Sequence, residues 1–198
     1  MPYNFYAFMD RMKYIKRWSL MRSVREENIM EHSQQVAMLA HALAVIKNNV
    51  YGGNVNAEKC VMYAVYHECG EVMTGDLPTP IKYFNNSIHG AYKSLEDKAC
   101  DKLLKTLPAE LCEDVACYVK PDTASEEYKI MKAADRLAAY IKCLEEHRCG
   151  NTEFEKAKKS IEKDLLSRNQ PEVEYFMKNF IDSFYLTLDE LEGGIDEE

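Results

Sequence analysis

Apolar residues return at steps of three, four and seven along most of this chain, and that spacing restricts it to a fold built from helices. From Asn28 to Lys47 the stripe is Ile29, Val36, Leu39, Leu43 and Ile46, with His32 on the same face. Ahead of it, Phe5, Phe8, Met9, Met12 and Ile15 define an amphipathic helix rather than a signal peptide, because Asp10, Arg11 and Lys13 interrupt any continuous apolar run. A turn at Tyr51-Gly52-Gly53-Asn54 follows. Asn56 is placed to cap a helix that passes through Val61, Ala64 and Val65 into His67-Glu68-Cys69-Gly70-Glu71, so His67 and Glu71 are expected on one face of its last turn. Pro78 and Pro80 predict an extended, rigid segment.

Further helices are expected through Tyr92, Leu95, Ala99 and Leu103, in a short piece after Pro108, and from Ser125 through Met131, Ala134, Ala138 and Ile141. The charged stretch from Asn151 to Arg168 favours helix, and Val173, Phe176, Met177, Phe180, Ile181 and Phe184 predict one more buried helix after Pro171. No run of β-branched alternation, no repeat of fixed period and no linker-like break in composition interrupts the pattern. The expected architecture is all-α, one domain over residues 1–190 with a flexible acidic tail at 191–198.

With 198 residues, 46% of them hydrophobic, the chain has enough apolar material for one core. Its net charge of −8 argues against a nucleic-acid polymer as partner, although a single small phosphate can still be bound locally by an arginine and a metal. Seven scattered cysteines without a repeated CxxC pattern are read as reduced thiols of a cytoplasmic protein. No stretch is long enough to predict a membrane span.

Against this background the ionisable residues beside the stripes stand out: His32, the pair His67-Glu68, and Asp135. A carboxylate next to a core is costly unless it is paired or bound to a cation, and imidazole with carboxylate is a common metal-binding set. His67 to Glu71 is not the HExxH of zinc proteases, since its fifth residue is Glu71. Each residue also has a bland explanation. His32 can be a satisfied core histidine, Asp135 can pair with Arg136, Arg17 can be an exposed charge, Trp18 a helix-end aromatic, and Thr74 to Pro80 an ordinary rigid loop.

The order of these residues adds information. Histidine, then histidine followed by an acid, then a distant aspartate is the arrangement of the HD superfamily of metal-dependent phosphohydrolases. Within it, Arg17-Trp18-Ser19-Leu20-Met21-Arg22, Glu31-His32-Ser33, the run from Gly70 to Asn85 containing TGDLPTPIKYFN, Ala134-Asp135-Arg136-Leu137 and Lys142-Cys143-Leu144-Glu145-Glu146 resemble the bacterial 5′-deoxynucleotidases of the YfbR type. That resemblance spans nearly the whole chain. It implies a helical, usually dimeric HD fold that hydrolyses deoxyribonucleoside 5′-monophosphates to deoxynucleoside and phosphate.

Carried over by matching positions, the resemblance implies that His32, His67, Glu68 and Asp135 hold one divalent cation, such as Co2+, Mn2+, Zn2+ or Cu2+. Glu71 would be the acid–base residue near the attacking water, and Arg17 would orient the phosphate. Trp18 would pack where a 2′-hydroxyl would project, and Asp76 with Leu77, Pro78 and Thr79 would line the nucleoside, with His32 and Glu68 also facing the substrate. The chain departs from the family at Glu68, where aspartate is expected. The same residues leave room for two rivals: an HD nucleotide-binding module deficient in hydrolysis, or an HD phosphohydrolase acting on another nucleotide.

Overall fold

A computed structural model describes residues 2–193. Eleven α-helices run through them: α1 Phe5–Asp10, α2 Ile29–Tyr51, α3 Ala57–Tyr66, α4 Glu71–Thr74, α5 Thr79–Lys82, α6 Asn86–Leu104, α7 Ala109–Val119, α8 Glu126–Arg148, α9 Glu155–Ser167, α10 Pro171–Asn179 and α11 Leu188–Glu192. The described residues contain no β-strand, only an isolated antiparallel bridge between Lys16 and Asn28. The fold is all-α and a single domain, as the spacing predicts.

The two longest helices, α2 and α8, pack on each other and on α3, while α9 and α10 cover them. Val36, Leu43, Leu137, Ile141 and Leu144 fill the contact. Small residues at Ala40, Ala44, Ala64, Ala134 and Ala138 are fully buried there and let the helix axes approach closely. A second, smaller cluster of Phe5, Cys69, Leu103, Leu104, Leu107 and Val119 anchors the segment that follows α3.

Local signals start and stop these helices. The Asn28 side chain accepts from the N–H groups of Met30 and Glu31, Asn56 accepts from Lys59, and Ser125 accepts from Tyr128, satisfying donors that a helix start leaves open. Gly52, at φ +67°, ends α2 in the left-handed conformation that a side chain would resist.

Several expectations change in the structure. His67 and Glu71 do not share the last turn of one helix. α3 ends at Tyr66, and the chain tightens into a turn in which Cys69 N donates to Tyr66 O at 3.0 Å and Glu71 N donates to Glu68 O at 3.0 Å. Gly70, with the lowest helix propensity short of proline, sits within it against α6. The segment with Pro78 and Pro80 is not extended throughout, because Thr79–Lys82 forms a helical turn. Proline is tolerated there, since a first turn has no use for its missing N–H. The piece after Pro108 is a full helix of 11 residues. The helix after Pro171 stops at Asn179 and resumes as a 3-10 turn over Ile181–Tyr185, with Ile181 still buried. Leu191 and Glu192, expected in the tail, belong to α11, which Thr187 caps; residues 194–198 lie outside the described residues. Trp18 is not at a helix end but in the loop between α1 and α2.

Candidate active site

Four side chains from three parts of the chain converge where α2, α3 and α8 meet. His32 on α2, His67 and Glu68 just after α3, and Asp135 on α8 each offer a donor atom, and these atoms all lie within 4.8 Å of one another. His32 Nε2 is 3.0 Å from Asp135 Oδ1, and His67 Nε2 is 3.3 Å from Glu68 Oε1. The structure therefore brings together all four residues that the sequence singles out as metal ligands.

The proton positions on His67 favour a cation. Its Nδ1 lies 2.6 Å from the carbonyl oxygen of Ala64, which only accepts, so Nδ1 carries the hydrogen. Nε2 is buried, without a hydrogen-bond partner, beside two carboxylates, and in the neutral ring it turns a lone pair toward them. Lone pair against carboxylate is repulsive, and a cation between them reverses the sign. Two imidazoles and two carboxylates form a donor set that suits several divalent ions. The residues present fit a divalent metal.

The carboxylates of the cluster are held ionised. Without a cation, burial opposes the charge on Asp135, but Lys132 and the rings of His32 and His67, when protonated, outweigh it and hold its pKa well below the usual range. Burial acts on Glu68 in the same way, and His67, when protonated, with Arg17 holds its pKa low. Lys132, one turn before Asp135 on α8, pairs with Asp135 Oδ2.

Arg17 and Trp18 reach the cluster from a loop whose path is set by backbone pairing. Arg17 N donates to Glu27 O at 2.9 Å and Ile29 N to Ile15 O at 3.0 Å, flanking the Lys16–Asn28 bridge. The Arg17 guanidinium is not an exposed charge: Nη1 donates to Glu68 Oε1 at 3.2 Å and Nε to Glu27 Oε2 at 3.1 Å. Trp18 has φ +58°, an uncommon conformation for a bulky residue, and its ring packs edge-on against Phe154 at 5.2 Å.

Glu71 opens α4 with its carboxyl buried and Oε2 unpartnered. Burial, reinforced by Glu68 and Asp76, pushes its pKa up to about 10. Asp76 follows the turn at Gly75 and is also raised by burial, against the pull of Arg17. Leu77 and Pro78 are half-buried, and Thr79 is exposed on the first turn of α5. Tyr92 on α6 fixes this loop by donating from its hydroxyl to Gly75 O at 2.9 Å. Sequence reasoning missed Glu27 and Lys132. Lys132 had a usable signal in its place three residues before Asp135, whereas Glu27 follows Glu26 in a stretch without periodicity.

A family model described as "5'-deoxynucleotidase YfbR-like" matches residues 4–184. The chain belongs to that family. Among relatives of this YfbR-like chain is a protein of Yersinia pestis (strain Pestoides F) named 5'-deoxynucleotidase. It is 52% identical over 189 residues, which cover 95% of this chain and 96% of the relative. Solved structures agree with the fold. An HD-domain phosphohydrolase from Listeria innocua matches at a TM-score of 0.81 with 19% identity, covering 96% of this chain and 92% of that one. The cyanophage S-2L HD phosphohydrolase bound to dA and one catalytic Zn2+ ion matches at 0.62 with 17% identity, covering 89% and 96%. At such identities the likeness shows the fold alone.

Proposed function

We propose that the chain is a metal-dependent 5′-deoxynucleotidase that hydrolyses deoxyribonucleoside 5′-monophosphates to deoxynucleosides and phosphate. Among the structural observations, the one that carries this reading furthest is the placement of the Arg17 guanidinium 3.2 Å from Glu68 within the four-donor cluster. A fork-shaped cation beside a metal set is an arrangement suited to a phosphoryl group. Family membership and the named relative support the substrate class.

His32, His67, Glu68 and Asp135 would hold the cation. When bound, it supplies Lewis-acid polarisation of a phosphoryl oxygen and a nucleophile at neutral pH. Arg17 uses Nε and Nη1 within the protein, which leaves Nη2 to face a phosphate oxygen. Glu71 would hand a proton to the leaving 5′-oxygen, a role that fits its upward-shifted carboxyl and its unpartnered Oε2. Neutralising Glu68 removes part of that upward push, while burial and Asp76 remain. Asp76 accepts from the 3′-hydroxyl, Leu77, Pro78 and Thr79 line the nucleoside, and Trp18 occupies the space into which a 2′-hydroxyl would project.

Zn2+, Mn2+, Co2+ and Cu2+ all suit this donor set. We assign the working unit as a homodimer, with the exposed Tyr83 and Phe84 beside α5 as apolar surface, and the location as cytoplasm. No helix among the described residues is long and apolar enough to cross a membrane. The test is phosphate release from matched ribo- and deoxyribonucleoside 5′-monophosphates with each metal and with EDTA. Deoxy-selective, EDTA-sensitive release is expected; metal-dependent binding without release would instead make the protein a nucleotide-binding module.

A further inference from the structure

The loop before α2 contains a carboxylate that is not among the four donors, yet faces three of the residues assigned to the site. Glu27 is the residue just before the α2 cap, and its side chain is only 11% exposed. One of its oxygens, Oε2, accepts from Arg17 Nε at 3.1 Å and from Trp18 Nε1 at 2.9 Å. The other, Oε1, lies 3.8 Å from His32 Nδ1, which is fully buried and otherwise without a partner.

We propose that Glu27 is a positioning residue that orients Arg17, Trp18 and His32 together, and so couples phosphate binding, sugar discrimination and metal binding through a single buried carboxylate. The proposal rests on the function assigned above, and deepens it.

Three physical points support it. First, an arginine side chain has many rotamers. Binding Nε to Glu27 while Nη1 binds Glu68 fixes the plane of the fork and determines which donor is left for a phosphate oxygen. Second, Trp18 adopts φ +58°, a strained conformation for a bulky side chain, which persists only where surrounding contacts determine it. The indole hydrogen bond to Glu27 is such a contact, and the backbone bond from Arg17 N to Glu27 O ties it to the same residue. Third, if His32 gives Nε2 to a metal, Nδ1 must carry the hydrogen and needs an acceptor. A carboxylate behind a ligating histidine fixes its tautomer and ring orientation, and a movement of several tenths of an ångström brings Oε1 within reach.

Trp18 is the only tryptophan in the chain, so indole fluorescence reports on this side chain alone. The experiment compares wild type, Glu27→Ala, Glu27→Gln and the exposed neighbour Glu26→Ala, each checked for helix content by circular dichroism. Three quantities are read: acrylamide quenching of the indole, Zn2+ affinity by calorimetry, and the ratio of phosphate release from dAMP to that from AMP.

In Glu27→Ala, quenching is expected to rise at least about twofold and Zn2+ affinity to fall roughly tenfold or more. The dAMP to AMP ratio should fall with them. In Glu27→Gln the amide oxygen still accepts from Arg17 and Trp18, but an NH2 group faces His32 Nδ1. Quenching should therefore stay near wild type while Zn2+ affinity falls, a split that general loosening of the loop would not give. Glu26→Ala should match wild type throughout. Helical Glu27→Ala protein with wild-type quenching and Zn2+ affinity would overturn the proposal, as would loss of both properties to the same extent in Glu27→Gln. If wild type releases no phosphate from any deoxynucleotide, the assigned function fails, whereas quenching and Zn2+ affinity still decide the role of Glu27.

Discussion

Glu68 Oε1 and Arg17 Nη1, 51 positions apart in the chain, lie 3.2 Å from each other, so the residue expected to hold the metal also braces the residue expected to hold the phosphate. Replacing Glu68 with Gln removes a negative charge from both partners. Metal content after dialysis, measured by elemental analysis, should fall by more than about tenfold, the scale on which metal sites respond to lost carboxylates. Unchanged metal content would place the ligating carboxylate elsewhere.

Glu71 is set apart from the four donors by a carboxyl whose pKa is pushed up, where those of Glu68 and Asp135 are held low. Glu71→Ala should lower kcat by roughly 100- to 10,000-fold, the usual contribution of a positioned acid or base. Metal affinity should stay within a few-fold of wild type. Steady-state kinetics alongside a metal titration separate these outcomes, and an unaltered kcat would exclude Glu71 from proton transfer.

The Trp18 ring is held by Phe154 on one side and Glu27 on the other. Trp18→Ala opens the space assigned to the missing 2′-hydroxyl. The preference for dAMP over AMP should shrink roughly tenfold or more, within the range one pocket contact can supply. Competition between the two substrates in one vessel gives the ratio directly; a preserved ratio would mean that discrimination lies on the Asp76 side.

Glu146 supports the loop between Trp18 and α2 from below. It is buried and accepts from Lys142 Nζ at 2.6 Å, Asn151 Nδ2 at 2.7 Å and Val24 N at 2.8 Å. Burial opposes its charge, but these donors prevail and lower its pKa to about 2. A lowered pKa stabilises the fold most above the carboxyl's ordinary value near 4.5, and that contribution is lost as pH falls from there through about 2. Glu146→Gln should cost roughly 3 kcal/mol near neutrality, because the buried Lys142 ammonium loses its opposing charge and keeps only the Arg25 carbonyl as a charge-neutral acceptor. The melting temperatures of variant and wild type should converge as pH drops through that window; a constant gap would remove Glu146 from the acid response.

Gly70 permits the close approach of the turn to α6. A Cβ there would sit 3.2 Å from Cys100 Sγ. Its backbone, at φ −62°, suits any residue, so the cost of Gly70→Ala is steric, about 1 kcal/mol. Adding Cys100→Ala should recover most of it. Urea unfolding of the two single variants and the double variant measures the coupling, and simple additivity would show that the clash is relieved elsewhere.

Much of the fold was legible because its signals are local. The Asn56 and Ser125 caps and the stripe carrying His32 each depend on residues within a turn or two of one another. The His67–Glu71 segment was misread because one glycine and its packing against α6 convert a helical continuation into a tight turn, and that packing involves a cysteine distant in sequence. The four donors and Arg17 were legible from residue order and resemblance. Glu27 was not, since nothing distinguishes it from Glu26 until the loop folds back and buries one of the two. The segment around Pro80 shows a related limit, in which proline marks a helix start as readily as an extended stretch.

The four-donor cluster also has a consequence for synthesis. Its members are delivered in the order His32, His67, Glu68 and Asp135, and the last is carried by α8. A nascent chain that has exposed α2, α3 and the turn after α3 holds two imidazoles and one carboxylate of the set, with neither Asp135 nor the helix that carries it. A ribosome must reach Asp135 on α8 before a fully liganded ion can be held, whereas α9 and α10, which cover α2 and α8, are made later, so the cation site has all its ligands before the core has all its helices.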